Sequence, residues 1–165
     1  MTKTAALQIA TPTDREVVIT RVVAAPRGMV FDAHTQPDLI QRWLLGPPGW
    51  TMPVCEIDLR VGGRYRYVWE SADGHKMAMG GTFTEIVRPS RIVATQAFDE
   101  DWTGGETTVS TEIVEQHGKS TITTTIRYAT REARDAALQT GMAQGMEAGY
   151  ERLDDLLKEI TGATV

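Results

Sequence analysis

The residues able to carry chemistry are few and scattered. The histidines are His34, His75 and His117. His34 falls in a short helical pattern, while His75 and His117 sit beside Gly74 and Gly118 in turn signals. None stands at the short, regular spacing from a second histidine or cysteine that a metal site uses, so neither a metal nor a cofactor is expected. The single cysteine, Cys55, alternates with Ile57 and Leu59 and reads as a small buried hydrophobe. No adjacent histidine would activate its thiolate. Phosphate-cradling glycine loops, nucleophile elbows and metalloprotease pairs are absent from the sequence. Glu85 beside Arg64, Arg66 or Arg127 is the pairing that could bring charge near an interior, with surface ion pairing as the competing reading. No residue is assigned as catalytic.

Residues suited to binding are more plentiful. Tyr65, Tyr67 and Trp69 alternate along one strand face, and Phe83 and Phe98 on neighbouring strands extend it. Two readings stand: core packing, or a cavity wall whose tyrosine hydroxyls supply the few polar contacts of an apolar pocket. Met142 and Met146 lie one helical turn apart, and Met52, Met77 and Met79 fall near the sheet. They suit gap-filling core or an adaptable lining. Trp43 and Trp50 flank Gly46-Pro47-Pro48-Gly49, at a cavity mouth or in a small cluster under that loop. Tyr150 joins the lining from the last helix, and Arg64 and Glu85 are the polar groups that could reach it.

The elements that must position these residues are legible in sequence. Residues 1–13, rich in Thr and Ala, read as a flexible arm, with one domain over 14–162. A β-branched strand follows from Arg15 to Ala24. Pro26 and Pro37 open two short helices, the second with the stripe Leu39, Ile40, Trp43, Leu44. Strands then come in series: Val54 to Leu59, Arg64 to Glu70, Lys76 to Val87, Arg91 to Phe98, Thr107 to Val114 and Ser120 to Tyr128. The turns between them include Gly62-Gly63, Asp73-Gly74, Thr103-Gly104-Gly105 and His117-Gly118. Gly80-Gly81 marks a bulge or a close backbone approach. From Arg131 to Ile160 the chain is built of strong helix formers, with Thr130 as N-cap and Gly162 as stop. Gly141, Gly145 and Gly149 each cost about 1 kcal/mol in such a helix. They call for either a close approach on that side or a break near Gly141. The order excludes a doubly wound nucleotide fold and predicts an α+β domain, a curved antiparallel sheet packed on a long C-terminal helix.

Composition narrows the partners. The 165 residues are 41% hydrophobic and 24% charged, an ordinary globular balance. With 17 basic against 22 acidic residues the net charge is −5, which disfavours nucleic acid and anionic membrane. One cysteine permits no intrachain disulfide, no segment has the length of a membrane span, and the N-terminus lacks a signal-peptide core. A cytoplasmic protein, monomer or homodimer, is expected.

Several blocks carry a resemblance. They are Ala25-Pro26, Gln36-Pro37-Asp38-Leu39 running into Arg42-Trp43, Gly46-Pro47-Pro48-Gly49-Trp50, the run Asp58 to Tyr65, and the run Gly145 to Asp154. Together, over about residues 15–160, they resemble the bacterial proteins related to the C-terminal domain of the activator of the 90-kDa heat-shock-protein ATPase. That family lies in the START-like, or SRPBCC, superfamily. The resemblance implies a helix-grip fold with a cavity between sheet and helix. The chain carries Trp43-Leu44 where the family often has two tryptophans, so ligand identity does not transfer.

The expected function is binding of a small apolar, aromatic or lipid-like molecule in that cavity. Two alternatives stay open: an enzyme on aromatic or polyketide-like compounds (a cyclase, dehydratase or hydrolase), and a module that regulates a chaperone. An empty apolar void costs about 24 cal/mol per Å³, so about 300 Å³ would take about 7 kcal/mol of the 5–15 a domain has. Partial collapse on flexible methionines is expected in the unliganded state.

Overall fold

The computed structural model describes residues 7–46, 48–100 and 105–161. Residues 1–6 of the expected arm, Pro47, the Thr103-Gly104 part of the expected turn and the Gly162 stop lie outside them. The described elements are, in chain order, β1 (Gln8–Ala10), β2 (Glu16–Val23), α1 (Arg27–Thr35), α2 (Pro37–Trp43), β3 (Trp50–Ile57), β4 (Arg64–Ser71), β5 (Lys76–Val87), β6 (Arg91–Phe98), β7 (Thr107–Gln116), β8 (Lys119–Arg127), α3 (Arg131–Leu138) and α4 (Met142–Thr161). The strands make one antiparallel sheet in the order β1-β2-β8-β7-β6-β5-β4-β3. Strands β3 to β8 form a meander, and β2 closes against β8. This is the α+β helix-grip architecture expected of the sequence.

Register carries one face across the sheet. Val17 pairs with Ile126, Ile126 with Val109, Val109 with Ala94 and Ala94 with Phe83. Phe83 touches the Tyr65 ring, so the aromatic face of β4 is continuous with the buried face of β2. One core cluster holds Tyr65, Tyr67, Met79 and Phe83 from the sheet together with Tyr150, Leu153, Leu156 and Leu157 from α4. The sheet buries its apolar face against the helix because each has no other partner of that size.

Local chemistry explains the turns. His117 and Gly118 both have positive φ, 56° and 78°, and Gln116 pairs with Lys119. That is the two-residue hairpin whose twist matches its strands. Gly81 allows a close approach: a Cβ there would lie 1.8 Å from the Thr95 carbonyl oxygen. The Tyr65 ring covers Gly81, and its hydroxyl donates to that same carbonyl at 2.7 Å. The bulge lies further on, between Phe83 and Glu85.

Two expectations change and one open choice is decided. Of the two readings of the helix glycines, the break near Gly141 interrupts the segment Arg131 to Ile160. Thr130 caps α3 by accepting from the Ala133 N–H at 3.0 Å, but the helix ends at Leu138 and restarts at Met142 after Gly141, whose φ is +80°. Part of the expected arm is a strand, because Gln8–Ala10 pairs along β2 and the Leu7 N–H donates to Glu147 at 2.8 Å. Strand β3 begins at Trp50 rather than Val54. Its irregular register between Thr51 and Val54 accommodates Pro53, which an edge strand tolerates.

Candidate functional site

Alternation along β4 sends Tyr65, Tyr67 and Trp69 inward and Arg64 and Arg66 outward. The inward rings touch in series, with centroids 5.1 Å apart for Tyr65 and Tyr67 and 5.8 Å for Tyr67 and Trp69. Met79 is paired with Tyr67 from β5, and Cys55 with Tyr67 from β3. Met52 and Phe83 are buried, while Trp50, Trp69, Phe98, Met142 and Met146 stay half-buried. Trp43 belongs to the core: its indole N–H donates to the Ala33 carbonyl at 2.8 Å, and its ring stacks on Tyr150 at 5.7 Å. The indole N–H of Trp69 donates to the Leu44 carbonyl at 2.8 Å, which ties the wall to the end of α2. Burial pushes the Tyr67 phenol upward, with smaller contributions from Cys55 and Tyr65, and pushes the Cys55 thiol up to about 11. Both groups are therefore neutral near pH 7.

The polar groups expected beside this wall face elsewhere. Glu85 follows the bulge, is exposed, and pairs with Arg91 at 3.1 Å. Arg64 is exposed on the outer face, where it borders an open groove of about 340 Å³ with Glu56, Arg66 and Gly80. The extra residue of the bulge and the strict alternation of β4 turn them outward. A smaller pit of about 30 Å³, room for one water, lies among Ala24, Asp154, Leu157 and Lys158. Neither concavity is enclosed between α4 and the aromatic wall. No group of three or more metal-ligating side chains exists among the described residues.

Sequence reasoning missed Arg21. It lies in the inward phase of β2 with Val17, Ile19 and Val23 and is 3% exposed. Its guanidinium makes a fork to Asp154, with Nη1 at 3.1 Å and Nη2 at 2.9 Å, and Nη2 also donates to Glu147 at 3.3 Å. Burial lowers its pKa, but Asp154 and Glu147 outweigh that and hold it above its ordinary value. Arg21 lies 5.8 Å from the Tyr150 ring centroid, and its buried Nε–H has no partner among the described residues. The signal was one arginine in a strand phase otherwise apolar, opposite acids seven residues apart on the helix.

A curved antiparallel sheet gripping a long C-terminal helix, with an aromatic inner wall, defines a START-like helix-grip domain. Within that class, the chain belongs to the family described as Activator of Hsp90 ATPase homolog 1-like protein, whose model matches residues 24–158. A crystal structure of a protein from Rhodobacter sphaeroides is similar at 32% identity and TM-score 0.89, over 94% of this chain and 99% of that one. A Nitrosomonas europaea protein shares the fold at 22% identity and TM-score 0.81, over 92% and 99% of the two chains. So does an AHSA1-like protein from Aeromonas hydrophila, at 22% identity and TM-score 0.67, over 89% and 95%. Comparison with curated proteins gives no match. No helix among the described residues is long and apolar enough to cross a membrane.

Proposed function

We propose that the protein takes up a small, mostly apolar molecule between α4 and the inner wall of β3 to β6. The observation that carries this reading is the set of large soft side chains left half-buried on both sides of this interface, two on the sheet and two on α4. Trp69, Phe98, Met142 and Met146 all pack on the core without being sealed into it. Methionines reposition at low cost, so the space closes when empty and opens around an occupant. The family's fold supports ligand binding in general and leaves the ligand open. An acid or base placed to react with an occupant would favour an enzyme, and Glu85 does not supply one. Thermal-shift titration with apolar aromatic and lipid-like compounds tests the reading. A compound at one hundred times its Kd adds about 2.7 kcal/mol, or several degrees in Tm. Absence of any shift across both classes, with no small molecule co-purifying by mass spectrometry, refutes it.

A further inference from the structure

We infer that Tyr67 is the polar anchor of this wall, and that its occupant is a neutral hydrophobe with a hydroxyl or carbonyl oxygen rather than a carboxylate or an amine. The inference rests on the binding reading above and deepens it. Tyr67 is 9% exposed, and its hydroxyl makes no bond to a described residue but is not sealed from solvent, since the sealed side-chain polar atom without a partner among the described residues is Arg21 Nε. The other polar atoms along this wall are already committed. Tyr65 donates to Thr95 and Trp69 donates to Leu44. A ligand oxygen would take the place of water on that hydroxyl, in surroundings that are otherwise apolar.

Charge on the occupant is disfavoured by what surrounds Tyr67. Among the described residues the buried charged side chains are Arg21 and Arg134. Arg21 is held by Asp154 and Glu147, and Arg134 by the Thr13 and Glu16 carbonyls and Asp135. Arg64 and Arg66 project from the opposite face. A carboxylate brought to Tyr67 would lack a cation, and an ammonium would lack an anion because the Cys55 thiol is protonated. Tyr128 is a second buried phenol, 5% exposed, but it follows β8. Strands β8 and β4 are separated by β7, β6 and β5 in the sheet, so Tyr128 serves as the control phenol.

Matched probes test this on the full chain: naphthalene, 2-naphthol and 2-naphthoate at pH 7.5, against wild type, Tyr67→Phe and Tyr128→Phe, by calorimetry. The expected result is that 2-naphthol binds wild type about ten-fold tighter than naphthalene and at least ten-fold tighter than 2-naphthoate. Tyr67→Phe removes the 2-naphthol advantage and leaves naphthalene unchanged, whereas Tyr128→Phe keeps it. Because the hydroxyl makes no bond to a described residue, Tyr67→Phe folds with an unchanged Tm. If naphthalene binds but the 2-naphthol advantage survives Tyr67→Phe, or 2-naphthoate binds as well as 2-naphthol, the anchor is wrong and the apolar site stands. If none of the three binds wild type, site and anchor fall together.

Discussion

Arg21 occupies a position where alternation asks for an aliphatic side chain, and four hydrogen bonds, one of them to the Val22 carbonyl at 3.1 Å, make it tolerable. Its desolvation is offset by a two-point fork to Asp154 and a further bond to Glu147. Removing the cation leaves two carboxylates facing a buried strand. Because Glu147 and Asp154 keep 33% and 19% exposure, water relieves part of that cost. Arg21→Met is therefore expected to lose about 2–3 kcal/mol in urea unfolding, below the full cost of orphaning a buried ion. Arg21→Lys retains the charge but not the fork, and most of the loss remains. Adding Asp154→Leu to Arg21→Met recovers part of the stability, since one orphaned carboxylate goes with it. His34 gives a pH signature. Its Nδ1 lies 2.8 Å from the Val30 carbonyl, and its ring meets Trp43 edge-on at 5.0 Å. Burial lowers its pKa below 6.5, and the Val30 contact only partly opposes this. The unfolded chain thus takes up a proton before the folded one does. His34 stabilises the fold above about pH 6.5, and that contribution fades as pH falls toward the lowered native value. Urea midpoints at pH 7.5 and pH 5 should drop more for wild type than for His34→Leu. Equal drops would remove His34 from the account.

At the scale of elements, the glycines of the last helix divide by role. Gly141 has φ +80° and breaks the helix, so Gly141→Ala carries left-handed strain of about 1–2 kcal/mol. Gly149 instead permits contact: a Cβ there would lie 3.2 Å from the Trp43 carbonyl oxygen. In Gly149→Ala the gain in helix propensity, about 1 kcal/mol, offsets that tight contact, and stability stays within about 1 kcal/mol of wild type. Gly149→Val adds branches against α2 and is expected to lose about 2 kcal/mol or more in the same assay. This division shows why some features were legible and others were not. The strands, the two proline-opened helices and the Thr130 cap follow from period and residue type alone. The break at Gly141 depends on the sign of one φ inside a run of uniformly strong helix formers, so composition left a break and a close approach equally open. The outward turn of Glu85 depends on a bulge between Phe83 and Glu85 that no turn residue marks, whereas Gly80-Gly81 serves the close backbone approach that was the other reading of that pair. The Arg21 cluster depends on which helix face meets β2, and no local pattern encodes that.

Across the whole molecule, α4 is anchored unevenly. Its buried residues are Gly149, Tyr150, Leu153, Leu156 and Leu157, whereas none of Met142 to Ala148 is buried. The far half is fixed by Tyr150 stacked on Trp43 and by the Arg152 guanidinium donating to the Gly46 carbonyl at 2.8 Å. The near half ends at the Gly141 break, carries the two half-buried methionines, and is tied through Glu147, which accepts from the Leu7 N–H at 2.8 Å and from Arg21 at 3.3 Å. Opening the helix–sheet interface by lifting its first two turns costs little buried apolar area, while lifting the second half would expose the core. Uptake through the near end predicts a specific exchange pattern. Amides over 139–148 should exchange with deuterium faster than those over 149–160, and a bound apolar molecule should slow the first set while leaving the second unchanged. Uniform protection along α4 would mean that the helix moves as one body and that the entrance lies elsewhere. Slowing confined to the outer groove beside Arg64 and Glu56 would move the site to the other face of the sheet.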